Sequence, residues 1–324
     1  MRAVRCETHG EPESLTVREL PEPVAGTGQA VVRVDAAAVN YPDALIVADR
    51  YQVSAPTPFT AGSEFAGTVL SVGPGVENVA PGDTVMGASF TGAFAEQIVV
   101  SEATLSPIPH GLSMIDAAAF GVTYRTAYHA LVTIGEMRPG DWVTVLGAAG
   151  GVGTACVDIA TRLGGRVIAA ASSRERIEFC RRLGAVEGIS YQSENLKERI
   201  KTITGSGADI VIDPVGGAHA EQAIRATAWG GRYVCVGFAN GEIPRIPMNL
   251  VLLKGAILRG FEIRTLADHR PDAVAEATVE LARLISEGMR PHVSEVFGLD
   301  DAPRALGLIQ NRAVRGKVVI DPTM

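Results

Sequence analysis

The segment Trp142–Ala171, WVTVLGAAGGVGTACVDIATRLGGRVIAAA, decides the fold. It opens with an apolar run, Trp142–Leu146, and passes through a glycine-rich turn at 147–153. A helical pattern then runs to Leu163, stops at Gly164-Gly165, and gives way to a second apolar run from Val167. Strand, glycine turn, helix and strand in that order form a parallel crossover unit. Glycines in such a turn let the backbone approach a diphosphate, and N–H groups at the helix start bind its charge. Ala148 replaces the first glycine of the usual fingerprint, and Gly150 and Gly153 hold the other two places. Diphosphate contacts are expected from Ala149, Gly150, Gly151 and Val152.

Downstream, helical and extended patterns alternate. Helices are predicted at Arg174–Leu183, Asn195–Thr204 and Ala218–Trp229, each closed by glycine. Strands are predicted at Ile189–Tyr191, Asp209–Asp213, Tyr233–Gly237 and Ala256–Gly260. This alternation reads as a doubly wound parallel sheet with helices on both faces. Upstream, short apolar runs are separated by Pro21-Glu22-Pro23, Gly73-Pro74-Gly75 and Ala80-Pro81-Gly82. Close-set turns with little helix suggest a β-barrel-like domain. A long helix is predicted at Pro271–Gly288. The tail from 292 carries short strands and one helix, Ala302–Gln310, and is too small for a core of its own. The expected organisation is α/β: a β-rich domain in two pieces, 1–118 and 265–324, with the nucleotide domain, 119–264, inserted between them.

Composition narrows the function. The 324 residues carry 29 Lys and Arg against 36 Asp and Glu, a net charge of −7 without a long basic run, which disfavours nucleic acid and anionic membranes as partners. No apolar run approaches the roughly 18 residues of a spanning helix. Cys6, Cys156, Cys180 and Cys235 form no C-x-x-C pair and read as buried or partly buried thiols of a reducing compartment. A cytoplasmic protein is expected.

The end of the second crossover strand selects the nucleotide. NAD-binding units carry an acid there, about 20 residues past the turn, for the ribose hydroxyls. Here the place is Ala171, followed by Ser172-Ser173-Arg174-Glu175-Arg176. Hydroxyls and arginines donate to a 2′-phosphate that a carboxylate would repel. NADPH is therefore the expected cofactor.

Three segments together, Leu146–Gly153 (LGAAGGVG), Gly62–Gly67 (GSEFAG) and Gly316–Ile320 (GKVVI), resemble the zinc-independent NADPH:quinone oxidoreductase (zeta-crystallin-like) branch of the medium-chain dehydrogenase/reductase superfamily. Val122–Leu131 and Val236–Pro244 resemble it as well, and the similarity spans essentially the whole chain. The resemblance implies a GroES-like catalytic domain, an inserted Rossmann domain, NADPH between them and a homodimer. By position it implies Asn40 near the nicotinamide and Tyr51 in the acceptor pocket, the two candidate catalytic residues. It also implies Thr123 or Thr126, Gly237 and Phe238 beside the nicotinamide. Ser172, Ser173, Arg176 and Tyr191 match the adenosine-phosphate pocket, and Arg312 and Lys317 match C-terminal cofactor or cleft contacts.

Metal-dependent relatives bind zinc through a Cys and a Gly-His-Glu segment. Asn40 and Ser63 stand in those places here, and zinc needs soft or imidazole ligands. The six histidines read as structural or surface residues, and Ser63-Glu64 as a turn residue and an orienting carboxylate. Tyr41 or Tyr51 could donate to an acceptor carbonyl. The expected reaction is hydride transfer from NADPH to a quinone or similar activated enone. The alternatives are 2-enoyl thioester or alkenal reduction, and a non-catalytic NADPH-binding scaffold.

Overall fold

A computed structural model describes residues 1–324 and divides them into two compact units, Met1–Val122 with Arg290–Met324, and Thr123–Met289. The second boundary lies beyond the expected residue 265, because the helix Pro271–Ser286 belongs to the second unit.

The second unit is built on six parallel strands. Their order is Glu187–Ser190, Arg166–Ala171, Trp142–Leu146, Ala208–Asp213, Thr227–Cys235, Ile257–Gly260. Numbered along the chain this is 3-2-1-4-5-6, the doubly wound order, whose ligand crevice lies at the carboxyl ends beside the point of reversal. Val143, Val145, Leu146 and the run Val167–Ala170 are fully buried, as strands covered on both faces must be. Gly147 has φ +58°, and a side chain there would also press on Val215, so the turn leaving the first strand requires glycine. A Cβ at Gly153 would lie 2.2 Å from the Gly147 carbonyl oxygen, so that glycine serves helix–strand packing.

Two elements differ from expectation. The helix predicted to reach Trp229 ends at Arg225, and Thr227–Cys235 is one strand that takes in Trp229, Gly230 and Gly231. Thr227 donates its hydroxyl to the Ile224 carbonyl, which closes the helix early. Residues 116–134 carry a helical pattern in sequence, with a helix start at Asp116 and a continuation over Tyr124–Ile134, but the α-helix spans only Met114–Tyr128; His129–Ile134 is a π-turn, closed by the Gly135 N–H on the Ala130 carbonyl at 3.0 Å.

His129 in that turn is buried, with Nδ1 2.9 Å from the Thr133 hydroxyl. Burial first, then the charges of Arg125 and Arg270, pull its imidazole down to about 4. A histidine depressed when folded takes up its proton more readily unfolded. Its contribution is therefore complete above the unfolded value near 6.5 and is lost as pH falls toward 4. Between pH 8 and pH 5 the loss is on the order of 2 kcal/mol. Urea unfolding at the two pH values should show a smaller drop for His129→Gln by that amount, and equal drops in both proteins would remove His129 as the cause.

The first unit carries a seven-stranded sheet centred on Gln29–Val39. On one side lie Glu64–Val72, Thr84–Ala88 and Leu105–Pro107, and on the other Lys317–Ile320 and Val293–Phe297. Gln97–Ser101 also pairs with the central strand, and a smaller sheet joins Thr16–Glu19, Arg2–Cys6 and Phe59–Thr60. Lys317–Ile320 runs antiparallel to Ala37–Val39, so the carboxyl-terminal segment completes this sheet. Val32, Val34, Phe65, Phe94, Leu306 and Val318 share its core. No helix of the chain is long and apolar enough to cross a membrane, and all four cysteines are free, three of them buried.

Candidate active site

In the second unit the carboxyl ends of the strands carry the expected nucleotide residues. Gly150 is the N-cap of the helix Gly151–Arg162, and no side chain caps it. The Thr154 N–H reaches back to the Gly150 carbonyl at 2.8 Å. The N–H groups of Gly151, Val152 and Gly153 precede that bond and project from the helix end. Gly150 has φ −82° and ψ 178°, open to any residue, and a Cβ there would meet only the Gly147 carbonyl oxygen, at 3.4 Å. The protein's own packing therefore does not demand glycine at 150; the space above it suits a close-lying diphosphate.

At the next strand end, Ala171 pairs with Ser190, and its carbonyl accepts the Tyr191 N–H at 3.2 Å. Ser173 caps the following helix, its hydroxyl oxygen accepting the Arg176 N–H at 3.3 Å and its proton remaining available to donate. Ser172, Ser173, Arg176 and Tyr191 are all partly exposed around this strand end, and Arg174 and Glu175 are exposed. Asp213 ends the strand beyond the point of reversal. Its carboxylate accepts the N–H groups of Val215 and Gly216 at 2.7 and 2.8 Å and the Tyr233 hydroxyl. Its carbonyl accepts from Val236 and Gly237, which puts Gly237 and Phe238 beside the same crevice. Thr123 and Thr126 are buried in the helix Met114–Tyr128.

In the first unit three strand ends converge. Asn40 follows the central strand, Glu64 opens its neighbour opposite Ala38, and Lys317 opens the carboxyl-terminal strand just before Val318, which pairs with Val39. The Lys317 ammonium donates to Asn40 Oδ1 at 2.6 Å and lies 3.3 Å from Glu64 Oε2. Asn40 Nδ2 donates to the same carboxylate oxygen at 2.9 Å, and the Val122 N–H donates to Glu64 Oε1 at 2.6 Å. Lys317, Asn40 and Glu64 are all buried. Asp43, which no sequence pattern marks, accepts the Asn40 N–H at 2.8 Å and the Ser63 hydroxyl at 2.6 Å. Burial pushes its carboxyl up to about 6, against those two bonds and the Lys317 charge, with Glu64 adding to the rise.

This network changes the expected part of Lys317. It is an interior cation, 3% exposed, that holds Asn40 and Glu64. A hydrophobic strand beginning Lys317-Val318-Val319 looks solvent-tipped in sequence, and only its pairing beside Val39 turns the ammonium inward. Arg312, by contrast, is exposed with φ +55°. Tyr51 is half-buried, its ring 6.3 Å from that of Phe90. Tyr41 begins the short helix Tyr41–Val47 rather than following a strand directly.

The zinc positions do not fit zinc. Asn40 presents an amide already engaged by Lys317 and Glu64, and the Ser63 hydroxyl is engaged by Asp43. No three His, Cys, Asp or Glu side chains gather into a metal-binding group. The nucleotide positions do fit a dinucleotide, by the open cradle above Gly150.

Two family profiles match the chain: "Alcohol dehydrogenase GroES-like domain" over residues 26–110 and "Zinc-binding dehydrogenase" over 151–280. Quinone oxidoreductase-like protein 2 of Rattus norvegicus is 37% identical over 326 residues, covering 98% of this chain and 91% of its own. The Escherichia coli quinone oxidoreductase complexed with NADPH superposes with a TM-score of 0.92 at 26% identity, covering 99% of this chain and 100% of its own. A structure described as an NAD-dependent alcohol dehydrogenase superposes with a TM-score of 0.89 at 32% identity, covering 99% of each chain.

Proposed function

The chain belongs to the quinone oxidoreductase branch of the medium-chain dehydrogenase/reductase superfamily, a nicotinamide-dependent oxidoreductase family, and from that membership we propose that it transfers hydride from NADPH to a quinone or similar activated enone, without a metal ion. Bound NADPH supplies the hydride. The chain's residues bind, orient and exclude water. Gly150, Gly151 and Val152, with Ala149, hold the diphosphate. Ser172, Ser173, Arg176 and Tyr191 hold the adenosine phosphate, and Gly237, Phe238, Thr123 or Thr126 lie by the nicotinamide. Asn40, held in one orientation by Lys317 and Glu64, lies by the nicotinamide, and Tyr51 serves the acceptor pocket. Arg312 is the remaining exposed cation assigned to cofactor contact. A quinone reduced to hydroquinone takes its protons from water, so no side chain is assigned as an obligate donor.

The observation that carries the cofactor choice is the strand end at Ala171. The fold alone does not decide it, since a close structural relative is described as NAD-dependent. An apolar residue followed by a hydroxyl cap and an arginine favours a 2′-phosphate, and an acid would repel it. Ala171→Asp should weaken NADPH by about tenfold or more while leaving NADH within about threefold, since one like-charge contact costs at least ~1.4 kcal/mol. Equal losses in titrations with the two cofactors would remove this account of specificity.

The acceptor is tested with a panel of quinones, enones, alkenals and 2-enoyl thioesters under saturating NADPH. Fastest turnover with quinones supports the proposal. Fastest turnover with thioesters would move the assignment to that class, and tight NADPH binding with no turnover on any acceptor would indicate a scaffold.

We further propose that the working form is a homodimer in the cytoplasm. Ile257–Gly260 is an edge strand with one side unpaired, and Ile257, Leu258, Leu252, Met248 and Trp229 of the same unit are exposed. A sheet edge with such neighbours needs a partner to avoid uncontrolled pairing. Light scattering should give twice the chain mass for the native protein and the monomer mass for Leu258→Asp; a native monomer would contradict the dimer.

A further inference from the structure

We propose that His219 is a positioning residue for the adenosine 2′-phosphate, acting by holding the Tyr191 ring. This rests on the reading of NADPH as the cofactor and adds to it a residue that neither the glycine fingerprint nor the strand end contains.

The two residues come from different crossovers of the same unit. Tyr191 follows the strand Glu187–Ser190, and its N–H is bonded to the carbonyl of Ala171, the residue where the second strand presents its ribose-reading position. His219 lies in the first turn of the helix Ala218–Arg225, after the strand Ala208–Asp213. Their rings stack with centroids 4.4 Å apart and planes 30° apart. Both side chains are only partly buried, so the pair lies at the surface of the unit rather than in its core.

The stacking accounts for a histidine that otherwise has no evident purpose. Its Nδ1 is buried and makes no hydrogen bond. Burial lowers the imidazole's affinity for a proton, with Asp213 opposing. The uncharged ring is therefore used as a flat surface. A polar ring with an unmatched buried nitrogen is a poor core residue, but it is a suitable platform for an aromatic ring that must stay in one rotamer. The carboxylate on the same turn as Tyr191 does not oppose an incoming phosphate freely: Glu194 accepts the Ser190 N–H at 2.9 Å and pairs with Arg199 at 2.6 Å. With His219 behind it, the Tyr191 ring is held on a residue whose backbone is bonded to Ala171, the strand end where a 2′-phosphate would be received.

The test uses 2′,5′-ADP, which carries the 2′-phosphate without the nicotinamide, and 5′-AMP, which lacks that phosphate. Binding of each to the full-length protein is measured by calorimetry. His219→Ala is expected to weaken 2′,5′-ADP about fivefold and to change 5′-AMP less than about twofold, the effect of one lost aromatic contact. His219→Phe, which keeps the stack, should restore 2′,5′-ADP binding. His219→Gln, which keeps polarity and loses the ring, should behave as alanine does and serves if the alanine variant does not fold. Unchanged 2′,5′-ADP binding, or equal losses for both ligands, in a folded variant overturns the inference. A native protein that binds 2′,5′-ADP no better than 5′-AMP overturns the NADPH reading instead, so the two failures are distinct.

Discussion

Replacing Gly150 with valine is expected to abolish binding of both NADPH and NADH while leaving the protein folded. Gly150 has ordinary extended dihedrals, and the nearest atom to a side chain there is the Gly147 carbonyl oxygen at 3.4 Å. Gly147 needs its positive φ, and a side chain at Gly153 would collide with the Gly147 carbonyl. Valine at 150 costs the helix start about 1 kcal/mol relative to glycine, because an N-cap disfavours β-branched residues. Against that small loss, its methyl groups would stand where a diphosphate must approach the backbone, and affinity should fall by ~100-fold or more. Calorimetric titration with either cofactor, beside a thermal melt, checks both halves. A folded Gly150→Val protein that retains cofactor within about threefold would move the diphosphate away from this turn.

The second large effect is expected in the first unit. Lys317→Met should destabilise the protein by about 3–5 kcal/mol, because it leaves the buried Glu64 carboxylate without its cation. Asn40 Nδ2 and the Val122 N–H still donate to that carboxylate, so its loss is partial rather than total. Glu64→Gln alone should also destabilise, because it removes the charge with which the ammonium is paired. The double variant should lose less than the sum of the two singles by about 1–3 kcal/mol, as directly paired groups do. Urea unfolding of the four proteins measures this coupling. Strict additivity would mean that the ammonium and carboxylate contribute independently, and the account of Asn40 as an oriented side chain would fail with it.

The two halves of the molecule were not equally legible in sequence. The crossover unit is local: strand, turn, helix and strand occupy thirty consecutive residues, and apolar periodicity with glycine punctuation suffices to place them. The doubly wound parallel sheet follows from that unit and the alternation after it. The Lys317 network is not local. Its bond to Asn40 joins residues 277 apart, and nothing in either segment distinguishes a lysine turned inward from one in water. Asp43 was hidden for the same reason, since its partners Asn40 and Ser63 are brought together by pairing of the central strand with Glu64–Val72. Trp229-Gly230-Gly231 misled in a different way. A glycine pair after a helical pattern looks like a helix stop, yet the register shift between Ala208 and Ile210 lets the partner strand begin at Thr227 and carry the glycines within it. His219 reads in sequence as a structural or surface residue, and only the ring opposite it, twenty-eight positions earlier in the chain, gives it a partner.

These placements share one consequence for chemistry. The residues proposed to hold the nucleotide sit at strand ends and a helix start, where backbone geometry is rigid. Asn40, proposed to lie by the nicotinamide, is fixed by charges in the interior. Such an arrangement favours positioning over acid–base participation, and it gives a metal ion no vacant donor set at Asn40 or Ser63.

The most direct test of metal-free hydride transfer from NADPH is the loss of absorbance at ~340 nm when chelator-treated protein is mixed with NADPH and a simple benzoquinone, with NADH in a parallel arm. The expected result is turnover that matches untreated protein and runs faster with NADPH than with NADH. Turnover that disappears on chelation and returns with zinc, or that runs faster with NADH, would contradict it.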